Sequence, residues 1–128
     1  MAAFSARSSA DQTLSSGEVL QFDVTFANLG GYYQADNGVF ICPYSGTYAF
    51  SFSFLSTEGD QAAGALYIDG TQYARAWGYD AEIWSHGSNM FVASCSAGGQ
   101  VYVQAYGASS FLASYYTVFA GFILQRYE

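Results

Sequence analysis

Hydrophobic and polar residues alternate one by one along several short stretches of this chain. The clearest stretch lies in residues 38–55, where four aromatic residues alternate with small ones, and these aromatic residues are Tyr48, Phe50, Phe52 and Phe54. An extended strand sends successive side chains to opposite faces, so the pattern predicts a strand with one buried aromatic face. Pro43 and Gly46 come just before it and indicate a turn.

Other stretches carry the same period or end in turn signals typical of strands. Leu20, Phe22, Val24 and Phe26 alternate with polar residues and predict one half-buried strand. Asp69-Gly70 is a hairpin signal. We expect residues 77–89 to form the longest irregular loop. The predicted strands cover residues 4–7, 20–26, 65–68, 71–76, 90–94, 101–106 and 118–125.

Composition agrees with a single all-β domain over residues 1–128. Hydrophobic residues make up 52% of the chain, aromatic residues 20% and charged residues only 10%, which excludes an intrinsically disordered protein. The chain is long enough to bury a core of its own. No stretch has the helical period over a useful length, and the apolar runs are too short to cross a bilayer.

The charge balance excludes several classes of partner. The formal net charge is −7, because ten acidic residues face three arginines and the chain has no lysine. Proteins that bind nucleic acids rely on lysine and arginine to neutralise phosphates, so we expect no nucleic-acid partner. Anionic membrane surfaces are disfavoured for the same reason. The chain starts with MAAFSAR, which has no apolar signal segment from which targeting could be deduced.

Several separate motifs resemble one family, in the right order and at the right spacing. They are AFSAR, NLGGYY, GVFICPYSGTYAF, LYIDG, GGQVYVQAYG and TVFAGFIL. Together they resemble the globular head domain of complement C1q and its relatives, among them cerebellins and adiponectin-like hormones. The resemblance implies a ten-stranded jelly-roll β-sandwich, related in shape to tumour necrosis factor, that is secreted and assembles as a homotrimer.

The chain departs from the family pattern at three points. Gly98-Gly99 stands where the family usually has Gly-Asp, and residues 116–122 replace its usual closing motif. No Gly-X-Y repeat precedes the domain, so the collagen stalk common in the family is absent from this sequence.

The sequence gives no sign of an enzyme. His86 is the only histidine, no Gly-x-Ser-x-Gly motif is present, and Ser85 next to His86 does not make a nucleophile and base by adjacency alone. Cys42 and Cys95 both lie in apolar surroundings that do not lower a thiol pKa. We expect them to be free, buried thiols, with a Cys42–Cys95 bridge as the alternative.

An acidic pair is the candidate metal site. Asp80 and Glu82 are two residues apart in the predicted loop and could converge on one calcium ion. In several members of the resembled family an acidic loop at about this place binds calcium, which makes calcium the candidate cofactor. The alternative is that both carboxylates are ordinary exposed charges. One histidine and two distant cysteines exclude a zinc site.

Aromatic residues crowd into the same predicted loop and form the candidate ligand site. Its residues are Tyr73, Arg75, Trp77, Tyr79, Trp84 and His86. Aromatic faces stack on the C–H surfaces of sugars, while polar groups bind the hydroxyls. The alternative is that these aromatic residues pack between protomers of the trimer.

From the family resemblance and this loop we expect a secreted, trimeric recognition protein. Its expected function is lectin-like pattern recognition of glycans or microbial surfaces in innate immunity. The alternative is a ligand of a protein receptor or an extracellular scaffold, as in the cerebellin and adiponectin branches. A role in an acidic matrix or with biominerals would fit the charge alone. An exposed, concave loop would favour glycans, and a flat or buried loop would favour protein contacts.

Overall fold

The computed structural model describes residues 1–128, with the side chain of Ser114 excepted. Over these residues the chain forms twelve strands and no helix, and therefore no helix that could span a membrane. The strands are β1 (Ala3–Ser8), β2 (Gln12–Leu14), β3 (Val24–Leu29), β4 (Tyr33–Gln34), β5 (Val39–Ile41), β6 (Gly46–Ser56), β7 (Gln61–Ile68), β8 (Thr71–Tyr79), β9 (Ser85–Cys95), β10 (Gln100–Ala105), β11 (Ser109–Phe111) and β12 (Ser114–Arg126).

Ten of these strands form a sandwich of two antiparallel sheets. The first sheet has the order β3-β1-β12-β6-β9, and the second sheet has the order β4-β5-β10-β7-β8. Strands β2 and β11 form a separate two-stranded ribbon. The predicted all-β jelly-roll sandwich is confirmed, and the ten predicted strands correspond to the two five-stranded sheets.

The core lies between the sheets and is dominated by aromatic rings. Tyr48, Phe50, Phe52 and Phe54 all point inward from β6 and are at most 2% exposed, as the alternation predicts. The rings of Tyr48 and Phe50 stack with their centroids 5.9 Å apart. Fully burying an aromatic side chain of this kind stabilises the fold by roughly 1.5–3 kcal/mol.

Burial also raises the pKa of the only hydroxyl group among these four aromatic residues, that of Tyr48. The Tyr48 hydroxyl donates a hydrogen bond to the carbonyl oxygen of Tyr44 over 2.6 Å, which satisfies its polar atom. Removal from water raises the pKa of Tyr48 to about 12, against the opposing effect of the Tyr44 hydrogen bond. Tyr48 therefore acts as a neutral core residue.

The prediction of one strand over residues 20–26 is wrong. Leu20 and Phe22 are fully buried, but β3 begins only at Val24, and Phe26 is 58% exposed. The reason is that this segment crosses between the sheets. The Leu20 N–H donates to the Val103 carbonyl of the second sheet, whereas β3 pairs with β1 of the first sheet. The alternation of buried and exposed side chains therefore ends before Val24.

The prediction of an irregular stretch over residues 77–89 is also wrong. Strand β8 continues to Tyr79 and β9 begins at Ser85, which leaves a loop of residues 80–84. Two glycines allow these strands to run closely side by side. A Cβ on Gly78 would lie 3.0 Å from the carbonyl carbon of His86, and one on Gly87 would lie 3.3 Å from the backbone of Trp77. The edge of the second sheet thus packs along the edge of the first.

Both cysteines are free and buried, as predicted. Cys42 follows β5 of the second sheet, and Cys95 is the last residue of β9 in the first sheet. The hydrogen bond with Cys95 and burial both raise the pKa of the Cys42 thiol well above its usual range. Cys42 is therefore a protonated, unreactive thiol at neutral pH.

Candidate functional site

Four of the predicted ligand-binding residues share the outer side of β8. Tyr73, Arg75, Trp77 and Tyr79 are all exposed, and we call these four residues the aromatic ridge. The residues between them, Ala74, Ala76 and Gly78, are small and buried. Small inward side chains are needed here because β9 lies directly behind β8, and the larger residues therefore point to solvent.

The Trp77 indole is exposed but held in a fixed orientation. Trp77 is 59% exposed, and its ring stacks on Tyr79 with centroids 6.3 Å apart and planes 12° apart. Its Nε1 donates to Oε1 of Gln61 over 3.0 Å. Gln61 on β7 is itself anchored, because its Nε2 donates to the Ala108 carbonyl over 3.0 Å. The two rings offer one preorganised flat surface.

Arg75 lies next to Trp77 on the ridge and is also fixed by neighbours. Its Cζ lies 5.0 Å from the centre of the Tyr106 ring, a cation–π distance. Its Nε donates to Oε1 of Gln72, and Nε2 of Gln72 donates to the Tyr67 hydroxyl over 2.9 Å. No described carboxylate lies within ion-pair distance of this guanidinium.

Small residues of β7 lie beside the aromatic ridge on the same side of the sheet. Ala63 pairs with Trp77 and Ala65 pairs with Arg75 in the sheet register, and both alanines are fully buried although they point outward. On the far side of these alanines, Tyr102 of β10 stacks on Tyr67 with centroids 5.6 Å apart. The outer side of the second sheet is therefore a tyrosine-rich surface with amide side chains and one arginine.

Trp84 and His86 do not lie on β8. Trp84 is 59% exposed in the loop of residues 80–84, next to Ile83, which is 63% exposed. His86 is on β9 and belongs to the first sheet, where its ring centre lies 6.4 Å from that of Tyr116. The chain passes from one sheet to the other between Tyr79 and Ser85, so the His86 side chain lies by Tyr116 on the first sheet although its backbone contacts Gly78.

The candidate calcium residues lie in the same short loop. Oδ1 of Asp80 accepts hydrogen bonds from the backbone N–H groups of Glu82 and Ile83 over 2.8 and 3.2 Å, so this oxygen stabilises the loop. Among the described residues, no group of three histidine, cysteine, aspartate or glutamate side chains could hold a metal ion. A calcium ion here would need backbone carbonyls or water as further ligands. Calcium binding therefore stays a prediction.

Sequence reasoning missed Gln61, Gln72 and Tyr106, which fix the ridge from neighbouring positions. The Asp69-Gly70 hairpin signal predicts that β7 pairs with β8, but its simple register would put Gln61 opposite Gly78. A register shift between Leu66 and Tyr67 moves Gln61 opposite Tyr79, on the side of the ridge. Tyr106 follows β10, some thirty residues further along the chain, and no local signal connects it to Arg75.

The outer side of the first sheet has a different character, and we call it the apolar face. Large exposed hydrophobic residues lie along β9 and β12, namely Met90, Val92, Phe122 and Leu124. Small residues separate them, so that a shallow cavity of about 70 Å³ forms between Ser51, Met90, Ala120 and Phe122. No charged side chain lines this cavity.

A second cavity of about 230 Å³ lies near the two ends of the chain. It is lined by Met1, Tyr44 and residues 123–126. The Arg126 guanidinium lies over the Tyr44 ring at 4.2 Å. Neither of these two cavities includes a residue of the aromatic ridge.

Several solved structures share the fold of this chain. The globular domain of the zebrafish complement 1qA protein matches with a TM-score of 0.83 at 17% identity, covering 99% of this chain and 100% of that one. The Eiger TNF of S. frugiperda matches with a TM-score of 0.73 at 13% identity, covering 99% and 93%. Murine APRIL at pH 5.0 matches with a TM-score of 0.71 at 12% identity, covering 94% and 95%.

These identities establish the shared fold alone. A family model of the C1q domain matches residues 3–124, which is nearly the whole chain. The chain therefore belongs to the C1q domain family.

Proposed function

We propose that this protein is a secreted, trimeric recognition protein that binds glycans or microbial surfaces through the aromatic ridge, as a lectin of innate immunity. C1q domains are non-enzymatic, ligand-binding domains of typically extracellular proteins. The observation that carries the proposal is the Trp77–Tyr79 pair, two stacked rings that are exposed and held by Gln61.

The chemistry of the ridge suits a sugar ring. The exposed faces of Trp77 and Tyr73 can stack on sugar C–H groups, and burying such a flat apolar surface contributes to the free energy of binding. Neighbouring guanidinium, amide and hydroxyl groups can bind sugar hydroxyls, and side chains two apart on a strand are separated by about 6.6 Å. That spacing is close to the width of one sugar unit.

The apolar face supports assembly. Contiguous exposed hydrophobic patches of this kind typically mark an interaction site, and its centre carries no charge that would oppose burial. A closed ring of three copies would present three equivalent ridges. Each ridge alone would bind a sugar weakly, and simultaneous binding to a repeating surface would raise the overall affinity by effective concentration.

A glycan array with matched variants tests the proposal. We expect Trp77→Ala to reduce binding to polyvalent glycans and microbial surfaces by at least roughly tenfold, because a stacking partner in a site is lost. Tyr32→Ala is the control, because Tyr32 lies just before β4, at the opposite edge of the second sheet from β8, and its ring contacts Tyr44 with centroids 6.5 Å apart. Both variants should keep the oligomeric mass of the wild type.

Two results would contradict the proposal. One is a folded Trp77→Ala variant that binds every surface like the wild type. The other is a wild-type protein that binds no glycan at all.

A second candidate function is favoured by the loop of residues 80–84. Ile83 and Trp84 are exposed side by side, and an exposed aliphatic residue beside an aromatic one is typical of a protein contact. The Trp77–Tyr79 surface is exposed, as a glycan site requires, but it is flat, and flatness favours a protein contact as well. The alternative is therefore a ligand of a protein receptor or an extracellular scaffold. Trp84→Ala separates the two functions, because it should weaken binding to a protein partner while glycan binding through Trp77 persists.

A further inference from the structure

Arg75 has unused hydrogen-bonding capacity at an exposed position. A guanidinium has five N–H donors, and Nε of Arg75 uses one of them for Gln72. The four N–H groups on the two terminal nitrogens have no described protein acceptor. They form the flat fork that matches a carboxylate with two parallel hydrogen bonds.

The orientation of this fork is set before any ligand arrives. The Tyr106 ring lies under the guanidinium at 5.0 Å, and the hydroxyl of Tyr106 donates to the Ala76 carbonyl over 3.2 Å. Gln72 accepts from Arg75 while donating to the Tyr67 hydroxyl over 2.9 Å. These contacts lower the conformational entropy that Arg75 would lose on binding.

The neighbours of Arg75 on β8 complete a mixed site. Tyr73 and Trp77 flank it on the same side of the strand, both exposed, and the Tyr73 ring is itself held by Phe91 with centroids 5.5 Å apart. A sugar ring stacked on either aromatic side chain would bring a carboxyl substituent within reach of the fork, because the spacing along the strand is about 6.6 Å.

We propose that the ridge prefers sugars that carry a carboxylate, and that Arg75 is the residue that binds this group. The inference rests on the proposed glycan-binding function and names its ligand class. The net charge of −7 adds a restriction, since ten acidic residues repel a continuous polyanion at long range. The preferred ligand is therefore an isolated acidic sugar among neutral ones.

The test compares two probes that differ in one group. The first is a single galacturonate residue at sparse density on a neutral polyacrylamide carrier, and the second is its methyl ester on the same carrier. Sialyllactose on that carrier is a further arm, which distinguishes uronic from nonulosonic acids as the source of the carboxylate. We expect the wild type to bind an acid form roughly ten- to a hundredfold more tightly than the ester, as bidentate charged hydrogen bonds do.

Three variants assign this preference to Arg75. Arg75→Gln should remove it, and Arg75→Lys should keep only part of it, because lysine has the charge without the fork. Arg126→Gln is the matched control, since Arg126 also lies over a tyrosine ring and its loss changes the net charge equally. The melting temperature and oligomeric mass of each variant establish that it is folded.

The outcomes separate this inference from the proposed function. Equal binding of acid and ester, with ordinary binding of neutral glycans, would overturn the inference and leave the function intact. If Arg126→Gln lost the preference for the acid over the ester as fully as Arg75→Gln, the preference would come from the net charge of the protein. That result would overturn the role of Arg75. Failure to bind any glycan, acidic or neutral, would overturn the proposed function itself.

Discussion

Strands β6 and β8 follow the same alternation with opposite results. In β6 the aromatic residues point inward and the small ones outward, whereas in β8 the aromatic residues point outward and the small ones inward. The difference comes from what lies behind each strand. The inner side of β6 faces a wide space between two sheets, and the inner side of β8 faces the backbone of β9. Space behind the strand, more than hydrophobicity, decides which set is buried.

This inversion gives the sandwich two unlike outer surfaces. The apolar face has aliphatic and small side chains around Met90 and Phe122, and the aromatic ridge has rings and polar groups around Arg75 and Trp77. One surface is suited to another copy of the chain, because it excludes water without needing polar partners. The other is suited to a hydrated ligand.

The largest expected effect comes from a charge placed in the apolar face. Ser51→Glu puts a carboxylate into the cavity lined by Met90 and Phe122, and burying an unpaired charge costs several kcal/mol. We expect a stable wild-type trimer and a monomeric variant. Light scattering at micromolar concentration measures the mass of each.

The control for this charge lies on the other surface. Thr71→Glu adds the same charge at an exposed position of β8 and should leave the trimer intact. If light scattering gave the wild-type protein the mass of a monomer, the proposed trimer would be contradicted. If the Ser51→Glu variant were still a trimer, the interface between the copies could not lie on the apolar face.

A smaller effect is expected from loosening the ridge. Gln61→Ala removes the acceptor that orients Trp77, and a hydrogen bond of this kind contributes about 0.5–1.5 kcal/mol. We expect glycan binding to fall severalfold at unchanged oligomeric mass. Gln104→Ala is the matched control, because Gln104 lies on β10 of the same sheet and its amide also donates to a backbone carbonyl, that of Gly17. Equal titration curves for the two variants would mean that Trp77 needs no positioning.

The loop between the two surfaces tests the calcium prediction. If Asp80 and Glu82 bind an ion, millimolar calcium should stabilise the folded state by about 1 kcal/mol and raise the melting temperature by a few degrees. The double variant Asp80→Asn with Glu82→Gln should not respond. If the wild-type melting curves with calcium and with a chelator were identical, the calcium prediction would be wrong, and Asp80 and Glu82 would be ordinary surface charges.

The smallest expected effect concerns the thiols between the sheets. Because Cys42 and Cys95 are free, a reducing agent should leave the melting temperature unchanged. Mass spectrometry of the unreduced protein should find both thiol hydrogens present. A mass lower by two hydrogens would instead indicate a Cys42–Cys95 bridge joining the two sheets.

The sequence predicts the fold well where a strand stays within one sheet along its whole length. Tyr48 to Phe54 obey a strict period over the buried side of β6, and the family motifs support the jelly roll over the whole chain. Prediction fails where the chain changes sheets. Leu20 and Phe26 share a period but lie on opposite sides of such a crossing. Trp77 and His86 are close in the sequence but lie on different sheets.

The candidate site could be predicted only in part. Its residues on β8 are close in the sequence and share one period, so Tyr73, Arg75, Trp77 and Tyr79 could be grouped from local spacing. Gln72, which fixes Arg75, lies on β8 itself. Gln61 and Tyr106 come from other parts of the second sheet, and only the sheet pairing shows that they are neighbours of the ridge. The period also left open whether the aromatic side of β8 is buried or exposed.

The close contact between β8 and β9 has a consequence for aggregation. Unpaired strand edges are where sheets add foreign strands, and here the edges of the two sheets cover each other. On the opposite side, β4 has only two residues, while β3 offers six residues, Val24–Leu29, without a charge or a proline. Strand addition and fibril growth in this protein should therefore start at β3.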